Sequence, residues 1–116
     1  MKVLFTGDRN WTDRESIRKR ISILPSDTEI VFGDASGVDY IAGTEAVIQG
    51  YKVNGPHIAD WNKHGRAAGP IRNRKMLDQK PDLVIAFHPF LDGSKGTKDC
   101  VNEAKRRGIP VEVHNT

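Results

Sequence analysis

Three short apolar runs with no polar residue inside them set the first constraint on the fold: Val3-Leu4-Phe5, Ile30-Val31-Phe32 and Leu83-Val84-Ile85-Ala86-Phe87. A strand wetted on one face alternates apolar and polar side chains, whereas a strand covered on both faces carries apolar residues without interruption. Between the runs lie segments with helical spacing, Ile17, Ile21 and Leu24 in one and Val38, Ile41, Ala42 and Ala46 in the next. Strands that alternate with helices predict βαβ units, a parallel sheet and right-handed crossovers. The fold class is α/β: a three-layer, Rossmann-like domain with a mainly parallel sheet of about five strands, occupying residues 1–116 as a single domain.

The boundaries come from local chemistry. Thr12 followed three residues later by Glu15 predicts a capping box, and Pro25 stops the helix it opens. "EIVFG" at 29–33 is the second strand, and Gly50 caps the helix after it. "YKVNG" at 51–55 is a third, more polar strand suited to an edge, and residues 62–80 read as loop and helix. "DLVIAF" at 82–87, the most apolar strand, is expected at the centre. A helix over 97–107 closed by Gly108, then "IPVEV" as the last strand, completes the pattern.

At 116 residues, a second copy would help stability, so a homo-oligomer is expected. A net charge of +3 suits a phosphate-bearing partner without requiring one. Lys105, Arg106 and Arg107 fall at a helix end, where cations complement the macrodipole. Cys100 is the only cysteine, so no disulfide or thiolate zinc site can form within one chain, and a cytoplasmic setting is expected. His57, His64, His88 and His114 lack metal-ligand spacing, so neither metal nor cofactor is expected. "MKVLFTG" reads as a strand, and no segment approaches membrane-spanning length.

Parallel sheets of this kind bind ligands beyond the carboxyl ends of their strands, which selects the loops "TGDRNW", "GDASGVD" and "DGSKGT" and the segment 56–70. Glycines there let backbone N–H groups approach an anion, and a following helix N-terminus adds a positive dipole end. No G-x-G-x-x-G, G-x-x-x-x-G-K-[ST] or G-x-S-x-G occurs. Arg72, Arg74 and Lys75 flank Asn73 near a helix start, either as a solvated face or as phosphate ligands. Ser36 and Asp39 read as helix caps, and Asp34 as a ribose or base contact. Trp11 and Trp61 follow binding loops, where a tryptophan packs on the sheet or stacks on a nucleobase.

"TGDRNWTD", "GDASGVDYIA", "ADWNKHGRAAGPIRNRKML" and "DGSKGTKDCVNEAKRRGIPV", in this order and over nearly the whole chain, resemble the SLOG superfamily, specifically its small YspA-like branch. The resemblance implies a Rossmannoid sheet that binds nucleotides or nucleotide-derived molecules. The superfamily includes phosphoribohydrolases, proteins that bind single-stranded DNA and proposed sensors. In the phosphoribohydrolase pattern P-G-G-x-G-T-x-x-E the final glutamate falls on Cys100, with Asp99 the nearest carboxylate, and Arg74 matches an assisting arginine. Where the family often carries arginine, this chain has Ser36.

The expected function is binding of a nucleotide or nucleotide-derived small molecule, as a sensor or sequestering protein. Gly7, Gly33, Gly93, Gly96 and Thr97 would shape the anion seats, with Arg9, Arg72 and Arg74 neutralising phosphate. Thr6, Ser36 and Ser94 would add hydroxyls, Asn73 orientation, Asp34 a ribose contact and Trp61 a stacking surface. The alternatives are a nucleotide N-glycosidase with Asp99, Arg74 or Asp34 in catalysis, and single-stranded nucleic-acid binding.

Overall fold

The computed structural model describes all 116 residues. Its five strands, β1 (Lys2–Gly7), β2 (Glu29–Gly33), β3 (Lys52–His57), β4 (Leu83–Phe87) and β5 (Val111–His114), form one all-parallel sheet in the order β3-β2-β1-β4-β5. The chain steps outward from β1 to β3, then returns past β1 to add β4 and β5. The strand order therefore reverses between β1 and β4, the place where such sheets receive ligands.

Register and period explain the uninterrupted apolar runs. Leu4 pairs with Val31 on one side and Val84 on the other. These three face Met76, Leu77, Cys100 and Ala104 of helices α4 (Ala68–Leu77) and α5 (Gly96–Arg106). Their strand neighbours Val3, Phe5, Ile30, Phe32, Ile85 and Phe87 point the other way, onto α1 (Arg14–Ser22) and α2 (Val38–Ile48). Alternate side chains enter separate cores, so each strand must be apolar throughout. The result is the expected three-layer arrangement.

Several boundaries differ from expectation. Asp13, not Thr12, caps α1, accepting the Ser16 N–H at 3.3 Å, while Glu15 pairs with Arg18 one turn on. A carboxylate at the cap satisfies the same free N–H and meets the helix dipole better than a hydroxyl does. β1, not β4, is the central strand, because the return of the chain places β4 between β1 and β5. β3 lies at an edge, as its polarity predicts, but continues to His57. Segment 62–80 resolves into a single turn, α3 (Trp61–His64), a tight turn at Gly65–Ala67, and α4. Pro70 fits inside the first turn of α4, where its missing N–H would have had no intrahelical acceptor.

Candidate functional site

At the carboxyl end of the sheet the loops are knitted together by backbone. Asp8 N–H donates to Phe87 O at 2.9 Å, and Asp8 O accepts from Val38 N at 3.1 Å. Gly7 permits this closeness: a Cβ there would lie 2.2 Å from Phe87 O and 2.6 Å from Val38 Cγ2. Gly37 adopts φ +71°, and a Cβ on it would strike Asp8 O at 2.2 Å. Ser36, read from sequence as a cap, instead donates its hydroxyl to Arg9 O at 2.9 Å, and α2 begins at Gly37 without a side-chain cap. The first N–H of α2 is thus taken by the β1 loop. Thr6 is buried beside Cys100, and the Arg9 side chain is exposed at the rim.

Beside this junction lies a cluster of charge. Arg72, on α4, donates from Nη1 to Asp34 Oδ1 at 2.7 Å, joining that helix to the turn after β2. Asp34 Oδ2 accepts the Ala59 N–H at 3.3 Å. Asp39, only 5% exposed, lies beside the same guanidinium over Gly33, beyond ion-pair distance, and accepts the Ala35 N–H at 3.2 Å. Desolvation pushes the Asp39 carboxyl up to about 6; the Arg72 charge and the Ala35 N–H oppose that rise, and the Asp34 charge adds to it. Asp39, read from sequence as a helix cap, accepts instead the Ala35 N–H ahead of α2, and nothing local in "GVDY" marks it as the buried neighbour of an arginine 33 positions away.

Arg72 leads on to the third loop. Its Nε donates to Asn73 Oδ1 at 3.1 Å, and Asn73 Nδ2 donates to Gly96 O and Asp99 Oδ2, each at 3.2 Å. Asn73 is buried, so its amide fixes the start of α5 against α4. Arg74 turns elsewhere: Nη1 donates to Asp99 Oδ2 at 3.3 Å and to Pro70 O at 3.0 Å, and Nη2 lies 3.5 Å from Glu103. Glu103, which sequence reasoning did not single out, also receives Arg106, the main cause of its lowered pKa. The "DGSKGT" loop places Ser94 Oγ to accept the Thr97 N–H at 3.1 Å. Gly93 packs on the Phe90 ring, and a Cβ on Gly96 would meet open space.

The two tryptophans part ways. Trp11 sits edge-on to Phe87, with ring centroids 5.5 Å apart, and donates from Nε1 to Asp13 O. Trp61 is 59% exposed, with its ring edge above Gly69 at the start of α4. Next to it runs a shallow groove lined by Ile58, Asp60, Lys63, His64, Arg72 and Lys75. A larger concavity, about 410 Å³, lies at the opposite end of the sheet against Leu77, Lys80, Pro81 and Arg107. We place the candidate site at the carboxyl end, because the close-approach glycines, the buried acid and the shared arginine converge there and not at the larger hollow.

Over 118 aligned positions the chain is 37% identical to the Gene 61 protein of Mycobacterium phage D29, an alignment that spans 95% of this chain and 93% of that protein. The chain belongs to the Gene 61 protein family. No family model matches it. The chain spans about half the length of DNA processing protein A (DprA) from Streptococcus pneumoniae. That structure superposes on 97% of this chain and 49% of its own with a TM-score of 0.78, at 22% identity. The likeness establishes the Rossmann-like α/β fold, in keeping with the SLOG resemblance read from the sequence. No helix of this family member is long and apolar enough to cross a membrane.

Proposed function

We propose that this Gene 61 relative, as a member of the small YspA-like branch, binds a nucleotide or nucleotide-derived small molecule beyond the carboxyl ends of β1, β2 and β4. The observation that carries the reading is Arg72 held at 2.7 Å by Asp34 and joined through Asn73 to Gly96 at the head of α5. Asp34 is partly exposed and supplies an acceptor for ribose hydroxyls. Arg72 and the open start of α5 supply the positive partners of a phosphate. Arg74 serves as a strut between α4 and α5, its charge shared by Asp99 and Glu103.

A second reading, single-stranded nucleic-acid binding, is favoured by exposed Trp61 beside Lys63, His64, Arg72 and Lys75, and by the fold likeness to a protein described as processing DNA.

One set of titrations separates them. Nucleoside monophosphates and ADP-ribose-type nucleotides are titrated calorimetrically, and the mixtures are then chromatographed. Saturable binding with intact ligand recovered supports the proposal, and release of free base with turnover replaces it with N-glycosidase action through Asp99 or Asp34. Absence of mononucleotide binding, together with oligonucleotide affinity that falls steeply with added salt, would establish the nucleic-acid reading instead.

A further inference from the structure

Arg72 stands between two carboxyl groups of unequal exposure. On its outer side Nη1 donates to Asp34 Oδ1 at 2.7 Å. On its inner side is Asp39, and a Cβ on Gly33 would lie 2.7 Å from both Arg72 Nη1 and Asp39 Oδ2. The glycine is what allows the guanidinium and the buried acid to face each other. The bond from Arg72 Nε to Asn73 Oδ1 at 3.1 Å restricts the guanidinium to small adjustments between the two.

We infer that Asp39 is a positioning residue of the candidate site, whose charge sets how tightly Arg72 holds Asp34 and thus how readily Asp34 Oδ1 is released to the hydroxyls of a ribose. This inference rests on the nucleotide reading above. When Asp39 is ionised, its nearby charge also attracts the guanidinium through space, and the grip on Asp34 weakens. When Asp39 is neutral, Asp34 is the sole counter-charge and stays paired. The charged groups that face Asp39 are Arg72 from α4 and Asp34 from the turn after β2. Cys100 of α5, its thiol pushed up to about 12 by burial, is neutral at any working pH, and Thr6 of β1 does not titrate. Desolvation holds the Asp39 carboxyl at about 6, so the exchange falls within the range of ordinary buffers.

The first measurement needs no ligand. Carboxyl ¹³C NMR of the full chain, from about pH 4.5 to 8, should show the Asp34 signal shifting as Asp39 titrates, and Asp39→Asn should abolish that step. Should Asp39→Asn fail to fold, Asp34→Asn serves: removing the Asp34 charge should lower the Asp39 midpoint. An Asp34 signal indifferent to Asp39, or an unmoved midpoint in Asp34→Asn, overturns the inference whatever the protein binds.

The second measurement compares AMP with 2′-deoxy-AMP, whose phosphates titrate alike, so their affinity ratio isolates the ribose hydroxyl. The preference for AMP should grow several-fold (roughly 3- to 10-fold) between about pH 5 and 7.5, and stay flat in Asp39→Asn. A preference independent of pH in the wild type overturns the link to ribose. A coupled Asp34 signal with neither nucleotide bound overturns the nucleotide reading while leaving the coupling of the two acids intact.

Discussion

Asn73 bonds to both halves of the candidate site at once: its Oδ1 accepts Arg72 Nε at 3.1 Å, and its Nδ2 donates to Gly96 O at 3.2 Å. A buried amide with both ends engaged leaves two unpaired groups when truncated. Asn73→Ala should therefore cost about 1–3 kcal/mol in urea unfolding, and should weaken nucleotide binding more than loss of an exposed cation such as Lys75 does. Retention of full stability and affinity would show that α4 and α5 need no such tie.

The glycines of the site divide into two kinds. Gly7→Ala sets a methyl 2.2 Å from Phe87 O, a backbone atom that cannot rotate away, and should destabilise the fold by about 2–4 kcal/mol. Gly96→Ala places its methyl in open space and should leave the thermal midpoint within about 2 °C of the wild type. If phosphate sits at the head of α5, the same methyl lowers affinity there. Calorimetric melting of both variants, followed by nucleotide titration of Gly96→Ala, checks the pair.

Stability should depend on pH through Asp39. Its folded pKa, raised from 3.8 to about 6, means that its contribution is fully present below about pH 4 and is lost as pH rises through 6. The loss is on the order of 3 kcal/mol at most. Asp39→Asn should flatten the urea midpoint between pH 5 and 7.5, and a wild-type midpoint already flat over that window would contradict the burial of a titrating acid.

Glu112 works in the opposite direction at the far edge. Arg20 of α1 donates to it at 2.6 Å, the main cause of a pKa lowered from 4.5 to about 2, with desolvation opposing and His114 assisting. Its stabilisation is present above about pH 4.5 and is lost as pH falls towards 2. Because Glu112 is about a third exposed, solvent screening keeps the pair small, so Arg20→Ala should cost no more than about 1 kcal/mol. The loss should appear as faster amide exchange in β5.

Arg74→Ala tests the strut. With Asp99 and Glu103 as partners, Arg74 should matter more to stability, by roughly 1 kcal/mol, than to nucleotide affinity, which should change less than about threefold. Arg72→Ala should show the reverse emphasis, with binding lost at every pH. Calorimetric titration of both variants decides between them, and a large affinity loss in Arg74→Ala would return it to the phosphate seat.

The three apolar runs and the helical spacing of Ile17, Ile21, Val38, Ile41 and Ala46 determined the α/β class, the layering and the sheet end at which loops gather, because burial on two faces leaves no choice in strand composition. The polar β3 read as an edge for the same reason. What only the tertiary structure decided were partners distant in sequence: Asp39 against Arg72 across Gly33, Asn73 against Gly96, and Arg74 turned to Glu103 while its neighbour but one, Arg72, turned to Asp34. On a helix, residues two apart point to different sides, yet the sequence cannot say which side meets which loop. Ser36 bonded to Arg9 was decided likewise by which backbone group lay within reach once the strands had paired. Periodicity carries the average environment of a side chain; the identity of its partner comes from the crossover that brings two loops to the same strand end.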